Sequence, residues 1–360
     1  MSKRNRLFFL FFLSGFSALV YQVVWARQLA LVFGNTTQAV SAILTIFFAG
    51  LAFGSWFFGR LIDRIKRQLL IYGLLELGVG FYAFLTPFLF SKLVPLQAFL
   101  LLQWGTASAY FLSFLVLIWP TILIGGTLPV ISRFLVRHPE ERGEAIGKLY
   151  GLNTLGSVMG AFLAGFFLIR YLGVRETIWL AAGVNLLIGL VVLVSSGQRL
   201  SVGKAGLAPR KLVPKPYALN PILIAFGLNG MVALALEVLW TRVLILTFGS
   251  STYAFSTILT VFLLGISLGS FLASKFIVNK KNLLTWLVMF EFCLGVMVIA
   301  FSSLLEKLPF LFLSFYKDKI GFLPNLWAAF GLSFLVMLLP TTLMGTIFPL
   351  VVKVFNQDFK

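Results

Sequence analysis

The sequence predicts an all-α protein that crosses a membrane about ten times, and three observations support this fold class. First, 60% of the 360 residues are apolar, only 11% are charged, and the mean hydropathy is +1.00. A soluble chain of this length needs more charge to cover its surface. Second, apolar stretches of about 18 or more residues recur, each long enough to cross a bilayer as a helix. Third, the period-two alternation typical of membrane strands is absent.

The apolar stretches supply the predicted membrane helices. They cover residues 7–29, 38–60, 69–90, 106–132, 147–169, 176–196, 220–243, 253–275, 283–304 and 326–352. Because their number is even, both ends of the chain are expected on the same side of the membrane.

The net charge of +18 suggests a nucleic-acid partner, but the positions of the basic residues exclude this class. With the N-terminus in the cytoplasm, 21 of the 29 Lys and Arg residues fall on cytoplasmic helix ends and loops. This distribution follows the positive-inside rule, and it also favours contact with anionic lipid. We therefore predict an integral protein of the cytoplasmic (inner) membrane, embedded in the lipid bilayer, with both termini cytoplasmic.

Residues that hold metals or act as nucleophiles are scarce. Cys293 is the one cysteine and His138 the one histidine, so neither a zinc site nor a Cys–His pair is expected. The sequence predicts no cofactor, no metal and no catalytic residue. Whether the chain takes part in an enzyme is left open.

An internal repeat organises the chain. Shifted by 215 positions, residues 13–60 align with 228–275 with 21 identities in 48 positions. Shared apolar composition does not explain identical Trp, Arg and Gly residues at fixed spacing. Because six helices precede the second copy, both copies begin on the cytoplasmic side and are parallel repeats.

The repeat predicts the domain boundaries. Residues 1–196 form a first membrane repeat of six helices, 197–219 a basic cytoplasmic linker, and 220–360 a second repeat of four helices. Counterparts of residues 147–196 are missing from the second repeat, which is therefore expected to be truncated, a fragment, or completed by another chain. We expect a protein partner or a homo-oligomer to cover its open helix faces.

Carboxylates inside the predicted helices are candidates for a substrate or ion site. Glu76 and Glu291 occupy equivalent repeat positions, and each is the only charge in its span. Glu237 lies in the first helix of the second copy, where the first copy has Gln22. An ionisable group is costly in a bilayer and often marks function. The alternative is that each carboxylate accepts an interhelical hydrogen bond and serves packing.

Two Trp–Arg pairs in the same helices are further candidates. Trp25 precedes Arg27, and Trp240 precedes Arg242 at the equivalent positions of the second copy. Trp240 shares a helix face with Glu237, three residues earlier. The alternative for both arginines is a side chain that snorkels towards the outer interface beside a tryptophan.

A charged segment connects the second and third helices. It reads GRLIDRIKR and contains Gly59, Asp63 and Arg64. It resembles the G-x-x-x-D-R-x-G-R-R loop of the major facilitator superfamily, although Lys66 replaces the second glycine. The resemblance implies a conformational role for this loop, and the alternative is an ordinary basic loop of the positive-inside kind.

Four strings extend the resemblance over essentially the whole chain. FLSGFSALVYQVVWARQLALVFG, AGLAFGSWFFGR, IGGTLP and GKLYGLNTLGSVMGAFLAGF are similar to the membrane portion of the fused major-facilitator-like/spermidine synthase proteins. That family implies a major-facilitator-like bundle followed by an aminopropyltransferase-like domain. The sequence contains no such domain, so no catalytic residue carries over. Gln22 also differs from the Glu usual in that family.

Two functions follow from these expectations. The first is a transporter-like membrane module associated with polyamine (spermidine) metabolism, which moves or senses an organic cation. The alternative is a non-transporting membrane scaffold that anchors or regulates a spermidine-synthase-like domain or a partner chain.

Overall fold

The computed structural model of the protein describes most of the chain. The described residues are 3–34, 36–135, 142–197, 221–249, 252–277, 280, 282–315 and 322–357. Their helices are α1 (Lys3–Phe33), α2 (Thr36–Ile62), α3 (Gln68–Trp104), α4 (Ala107–Leu135), α5 (Arg142–Leu163), α6 (Ile169–Leu172), α7 (Val174–Gly197), α8 (Pro221–Phe248), α9 (Thr252–Leu272), α10 (Leu283–Phe315) and α11 (Phe322–Gln357).

The all-α prediction with about ten membrane helices is confirmed. The described residues contain no strand, and ten helical spans are long and apolar enough to cross a membrane. One of these spans joins α5 and α6 through a π-helical segment, Ala164–Leu168. A second π-helical segment, Ala273–Ile277, extends α9.

Two helices, α3 and α10, extend furthest beyond the apolar runs predicted for them. α3 continues through Pro87 and Pro95, and α10 continues through Pro309. At about 1.5 Å per residue, the 37 residues of α3 extend over roughly 55 Å, more than the roughly 30 Å hydrocarbon core of a bilayer. Sequence hydropathy locates the membrane-crossing part of a helix, and it does not show where the backbone hydrogen bonding ends.

The described helices form two compact units. Unit 1 contains α1 to α4, α6 and α7, and unit 2 contains α5 and α8 to α11. The boundary near α5 falls between Gly165 and Phe166, inside the π-helical segment. Thus α5 comes from the first sequence repeat and packs mainly against α9 of unit 2.

The first membrane repeat of six helices at 1–196 and the second of four helices at 220–360 therefore stay a prediction. The linker at 197–219 lies outside the described residues apart from Gly197.

Within unit 1, α2 and α4 approach so closely that side chains do not fit between them. A Cβ at Gly54 would overlap the carbonyl oxygen of Ile122, and a Cβ at Gly125 would lie 2.5 Å from the carbonyl oxygen of Leu51. The Ser55 hydroxyl donates a hydrogen bond to the carbonyl of Gly125 at 2.8 Å. Small residues permit this backbone contact, as is usual between membrane helices.

Within unit 2, α9 and α11 make the same contacts. A Cβ at Gly269 would overlap the carbonyl oxygen of Thr342, and one at Gly345 would overlap that of Ile266. The Ser270 hydroxyl donates to the carbonyl of Gly345 at 2.8 Å. Each residue is the sequence-repeat counterpart of one in unit 1, so the repeated glycines preserve one helix-packing contact.

Candidate functional site

A hydrogen-bonded cluster joins three helices of unit 1 around Glu76. The Glu76 side chain is fully buried, and the Asn185 amide on α7 donates to its Oε2 at 2.6 Å. The Tyr21 hydroxyl on α1 donates to Asn185 Oδ1 at 2.8 Å. Ser14 and Tyr72 also lie beside the carboxylate. Among the described residues Glu76 Oε1 has no aligned hydrogen-bond donor.

Trp25 extends the cluster towards the other end of α3. Its ring stacks on that of Tyr21, with centroids 5.1 Å apart and an interplanar angle of 13°. Its Nε1 donates to the Thr86 hydroxyl at 3.2 Å, which in turn donates to the carbonyl of Ala83 at 2.7 Å. Trp25 is completely buried. It is therefore an internal anchor of unit 1 and not a surface residue.

Glu291 has a similar partner in unit 2 but less cover. The Asn229 amide on α8 donates to Glu291 Oε2 at 2.9 Å, and Glu291 remains partly exposed. Asn229 aligns with Ser14 in the repeat, so the first helix of each copy places a polar residue beside this carboxylate. In unit 1 α7 packs on α3 and supplies Asn185. The described part of unit 2 has no equivalent of α7.

Glu237 differs from both other carboxylates. It is 2% exposed, and among the described residues its Oε2 has no hydrogen-bond partner. Thr241, one helical turn later, is equally buried, and its hydroxyl has no partner there either. Trp240 is buried against Phe262 of α9, with ring centroids 6.4 Å apart. Gln22, the counterpart of Glu237, is also buried in unit 1.

The two arginine candidates do not join these carboxylates. Arg27 and Arg242 are both exposed. No ion pair between described residues joins either arginine to Glu76 or Glu237. The structure therefore brings Trp25 and Trp240 into the interior but leaves the arginines that follow them at the surface.

The charged segment after α2 forms an ion pair with the end of α4. Asp63 Oδ1 lies 3.2 Å from Arg133 Nε, and both side chains are partly exposed. A Cβ at Gly59 would touch Pro129 of α4 at 3.8 Å, whereas Arg64 is exposed. The segment is therefore joined to α4 through the ion pair of Asp63 with Arg133.

Sequence reasoning missed the amides that hold Glu76 and Glu291. Asn185 and Asn229 both lie inside predicted apolar spans, which is itself a signal, since polar side chains there usually bond across helices. Their particular partners were not predictable because helical periodicity does not reveal which faces meet. No three His, Cys, Asp or Glu side chains gather within the described residues, so no metal ligand set is assigned there.

The structure is therefore that of a polytopic helical membrane protein with carboxylates buried in its interior. The family model of the Major Facilitator Superfamily matches residues 7–357. The chain therefore belongs to the major facilitator superfamily.

Solved structures agree with this fold. A bacterial homologue of the human lysosomal transporter Spinster, inward-facing and occupied, is similar with a TM-score of 0.54 and 16% identity, over 97% of this chain and 75% of that one. The inward-facing, unoccupied form is similar with a TM-score of 0.54 and 16% identity, over 100% of this chain and 79% of that one. At this identity the likeness shows the fold alone. No sequence among curated proteins matches the chain.

Proposed function

We propose that this protein is a secondary transporter that moves a small organic cation across the membrane. The sign of the buried charge carries the proposal. Among the described residues the buried charged side chains are the carboxylates Glu76 and Glu237, and no Lys or Arg is buried. A negative interior in a chain with a net charge of +18 favours a positively charged substrate, because a cation offsets the cost of a carboxylate in low dielectric.

Polyamines are the first substrates to test. The resemblance to fused major-facilitator-like/spermidine synthase proteins indicates them, and membership of the major facilitator superfamily supports transport as the activity. The comparisons with solved structures name neither polyamines nor spermidine synthase, so the association with polyamine metabolism rests on the resemblance alone. The proposed substrate is therefore specified only by its positive charge and its small size.

Uptake into proteoliposomes tests the proposal. Liposomes that contain the purified protein are expected to accumulate labelled spermidine or putrescine with saturable kinetics, well above protein-free liposomes. Unlabelled organic cations should compete, whereas a labelled organic anion of similar size should not enter. Entry of no cation above the protein-free level, or selective entry of the anion, contradicts the proposal.

A scaffold is the second candidate, and one observation favours it. Glu76 and Glu291 each accept a hydrogen bond from an amide on a neighbouring helix, as packing groups do. A scaffold that anchors or regulates a spermidine-synthase-like domain or a partner chain needs no more than this. It predicts a folded protein that transports none of the probes but retains such a partner during purification.

We also propose that the protein lies in the cytoplasmic (inner) membrane and that both of its termini face the cytoplasm. Single cysteines at two exposed positions test the orientation in a Cys293→Ala background. A membrane-impermeant thiol reagent is expected to label Lys307→Cys in intact cells and Lys66→Cys only after the membrane is opened. The reverse pattern contradicts the orientation, and unlabelled Cys293→Ala protein is the control.

A further inference from the structure

Two exposed helix surfaces of the same composition occur at equivalent positions of the sequence repeat. The α2 surface lies on the last turns of α2, and the α9 surface lies on the end of α9 and the π-helical segment after it. At the shift of 215, the four residues of the α2 surface, Phe53, Trp56, Phe57 and Arg60, align with Leu268, Phe271, Leu272 and Lys275 of the α9 surface. All eight side chains are exposed. Because helix positions three and four apart are neighbours, each surface is an apolar strip that ends in a cation.

In both surfaces the cation lies over an aromatic ring one helical turn earlier. The guanidinium carbon of Arg60 is 4.5 Å from the centroid of the Trp56 ring, and Lys275 Nζ is 5.8 Å from that of Phe271. Lys275 Nζ also lies 5.2 Å from the centroid of Phe276. A cation within about 6 Å of a ring centroid is attracted to the ring face. The rings therefore hold each cation beside its apolar strip.

No carboxylate of the described residues neutralises either cation. The ion pairs there involve neither Arg60 nor Lys275. Asp63 follows Arg60 by three positions, but its Oδ1 lies 3.2 Å from Arg133 Nε instead. Further exposed basic residues follow both cations, Arg64, Lys66 and Arg67 in the first unit and Lys280 in the second. Each surface therefore combines exposed apolar side chains with a local positive charge.

We propose that each surface binds one anionic phospholipid, with the phosphate on the cation and an acyl chain along the apolar strip. A phospholipid carries apolar chains next to a charged phosphate, which is the same order of groups as on each surface. The proposed orientation places both cations in the cytoplasmic leaflet, where anionic lipids attract basic segments. Lipid binding of this kind does not depend on which substrate is transported.

The α2 surface is expected to bind the lipid more tightly than the α9 surface. The guanidinium group of Arg60 can donate two parallel hydrogen bonds to a phosphate, whereas the ammonium group of Lys275 is a point charge. Tryptophan is also the ring that attracts a cation most strongly, and Trp56 has the place of Phe271. The difference between the two sites is therefore a result of their chemistry, since their positions in the repeat are the same.

Native mass spectrometry of the purified protein tests the two sites. The protein is titrated in detergent with phosphatidylglycerol, which is anionic, or with phosphatidylcholine of the same chains. The wild type is expected to retain phosphatidylglycerol several-fold better. Arg60→Gln should lose the tighter site, Lys275→Gln the weaker site, and the double variant both. Equal retention of the two lipids by the wild type, or full retention of phosphatidylglycerol by the double variant, overturns the proposal.

Lys66→Gln is the matched control for Arg60→Gln. It removes the same charge from an exposed residue of the same region, and no described aromatic ring lies beneath Lys66. This variant is expected to retain phosphatidylglycerol as the wild type does. A loss as large as that of Arg60→Gln would show a diffuse attraction between charges and would refute the two sites. Trp56→Leu keeps the charge and the apolar strip, so unchanged retention in this variant would refute the role of the ring, whereas a several-fold loss is expected.

Inorganic phosphate distinguishes a lipid site from a site for any small anion. Thermal unfolding of the protein in detergent is compared with phosphatidylglycerol and with inorganic phosphate at the same concentration. Only the lipid is expected to raise the unfolding temperature of the wild type, and it should do so less in Arg60→Gln. Without lipid both proteins should unfold at the same temperature, because the Arg60 side chain is exposed. Equal stabilisation by phosphate and by the lipid contradicts the proposal.

Discussion

Gly54→Ala and Gly269→Ala are each expected to destabilise the protein by about 1–3 kcal/mol or more, the cost of overpacking a well-packed site. The added methyl group at either position would overlap a backbone carbonyl of the partner helix, that of Ile122 or Thr342. A backbone atom does not rotate away as a side chain does, so the two helices must separate. Thermal unfolding of the purified variants in mild detergent measures the effect.

Gly295→Ala is the matched control for both variants. Gly295 lies inside α10, and a Cβ there meets nothing within 4 Å. Since Ala favours a helix over Gly by about 1 kcal/mol, this variant should be as stable as the wild type or slightly more so. Equal losses at Gly54, Gly269 and Gly295 contradict the proposed role of the close contacts.

Asn185→Leu is expected to cost about 1–3 kcal/mol, because it leaves a buried acceptor and a buried donor unpaired at once. Asn185 bonds both the Glu76 carboxylate and the Tyr21 hydroxyl. The loss of stability should exceed the average of roughly 0.6 kcal/mol for hydrogen bonds between membrane helices. The reason is that the Glu76 side chain is fully buried and its ionised form carries a charge. Unfolding in detergent by heat or denaturant measures it.

Asn229→Leu is the matched comparison in unit 2. Because Glu291 is partly exposed, removal of its amide donor does not leave a fully buried carboxylate unpaired. The expected loss of stability is therefore close to the average of roughly 0.6 kcal/mol for hydrogen bonds between membrane helices. A double variant, Asn185→Leu with Glu76→Leu, should regain part of the stability, because no buried carboxylate is then left unpaired. If Asn185→Leu and Asn229→Leu cost the same, burial does not determine the strength of these bonds.

The three candidate carboxylates therefore have different environments, although Glu76 and Glu291 occupy equivalent positions of the sequence repeat. Glu76 and Glu291 have amide partners, which is the arrangement expected of packing groups. Glu237 is buried and has no amide partner among the described residues; its Oε2 is unpaired, as is Oε1 of Glu76. A site that exchanges a cation must be able to change its partner, so Glu237 is the carboxylate to mutate first.

The sequence by itself determined the fold class and the positions of most membrane helices. Uninterrupted apolar stretches leave few alternatives in a bilayer, where a helix satisfies its own backbone hydrogen bonds. The repeat in sequence also aligns Gly54 with Gly269, whose equivalent close contacts the structure shows. Helix ends were less accurate, because α3 and α10 extend beyond their apolar spans.

Only the tertiary structure decided which polar groups meet. Glu76 and Asn185 are 109 positions apart, and the packing of α7 on α3 joins them. The placement of α5 in unit 2 is likewise a consequence of packing and not of sequence order. Helical periodicity shows which residues share a face, but the neighbour of that face depends on contacts between distant segments. For this reason the unpaired oxygen of Glu237 became evident only in three dimensions.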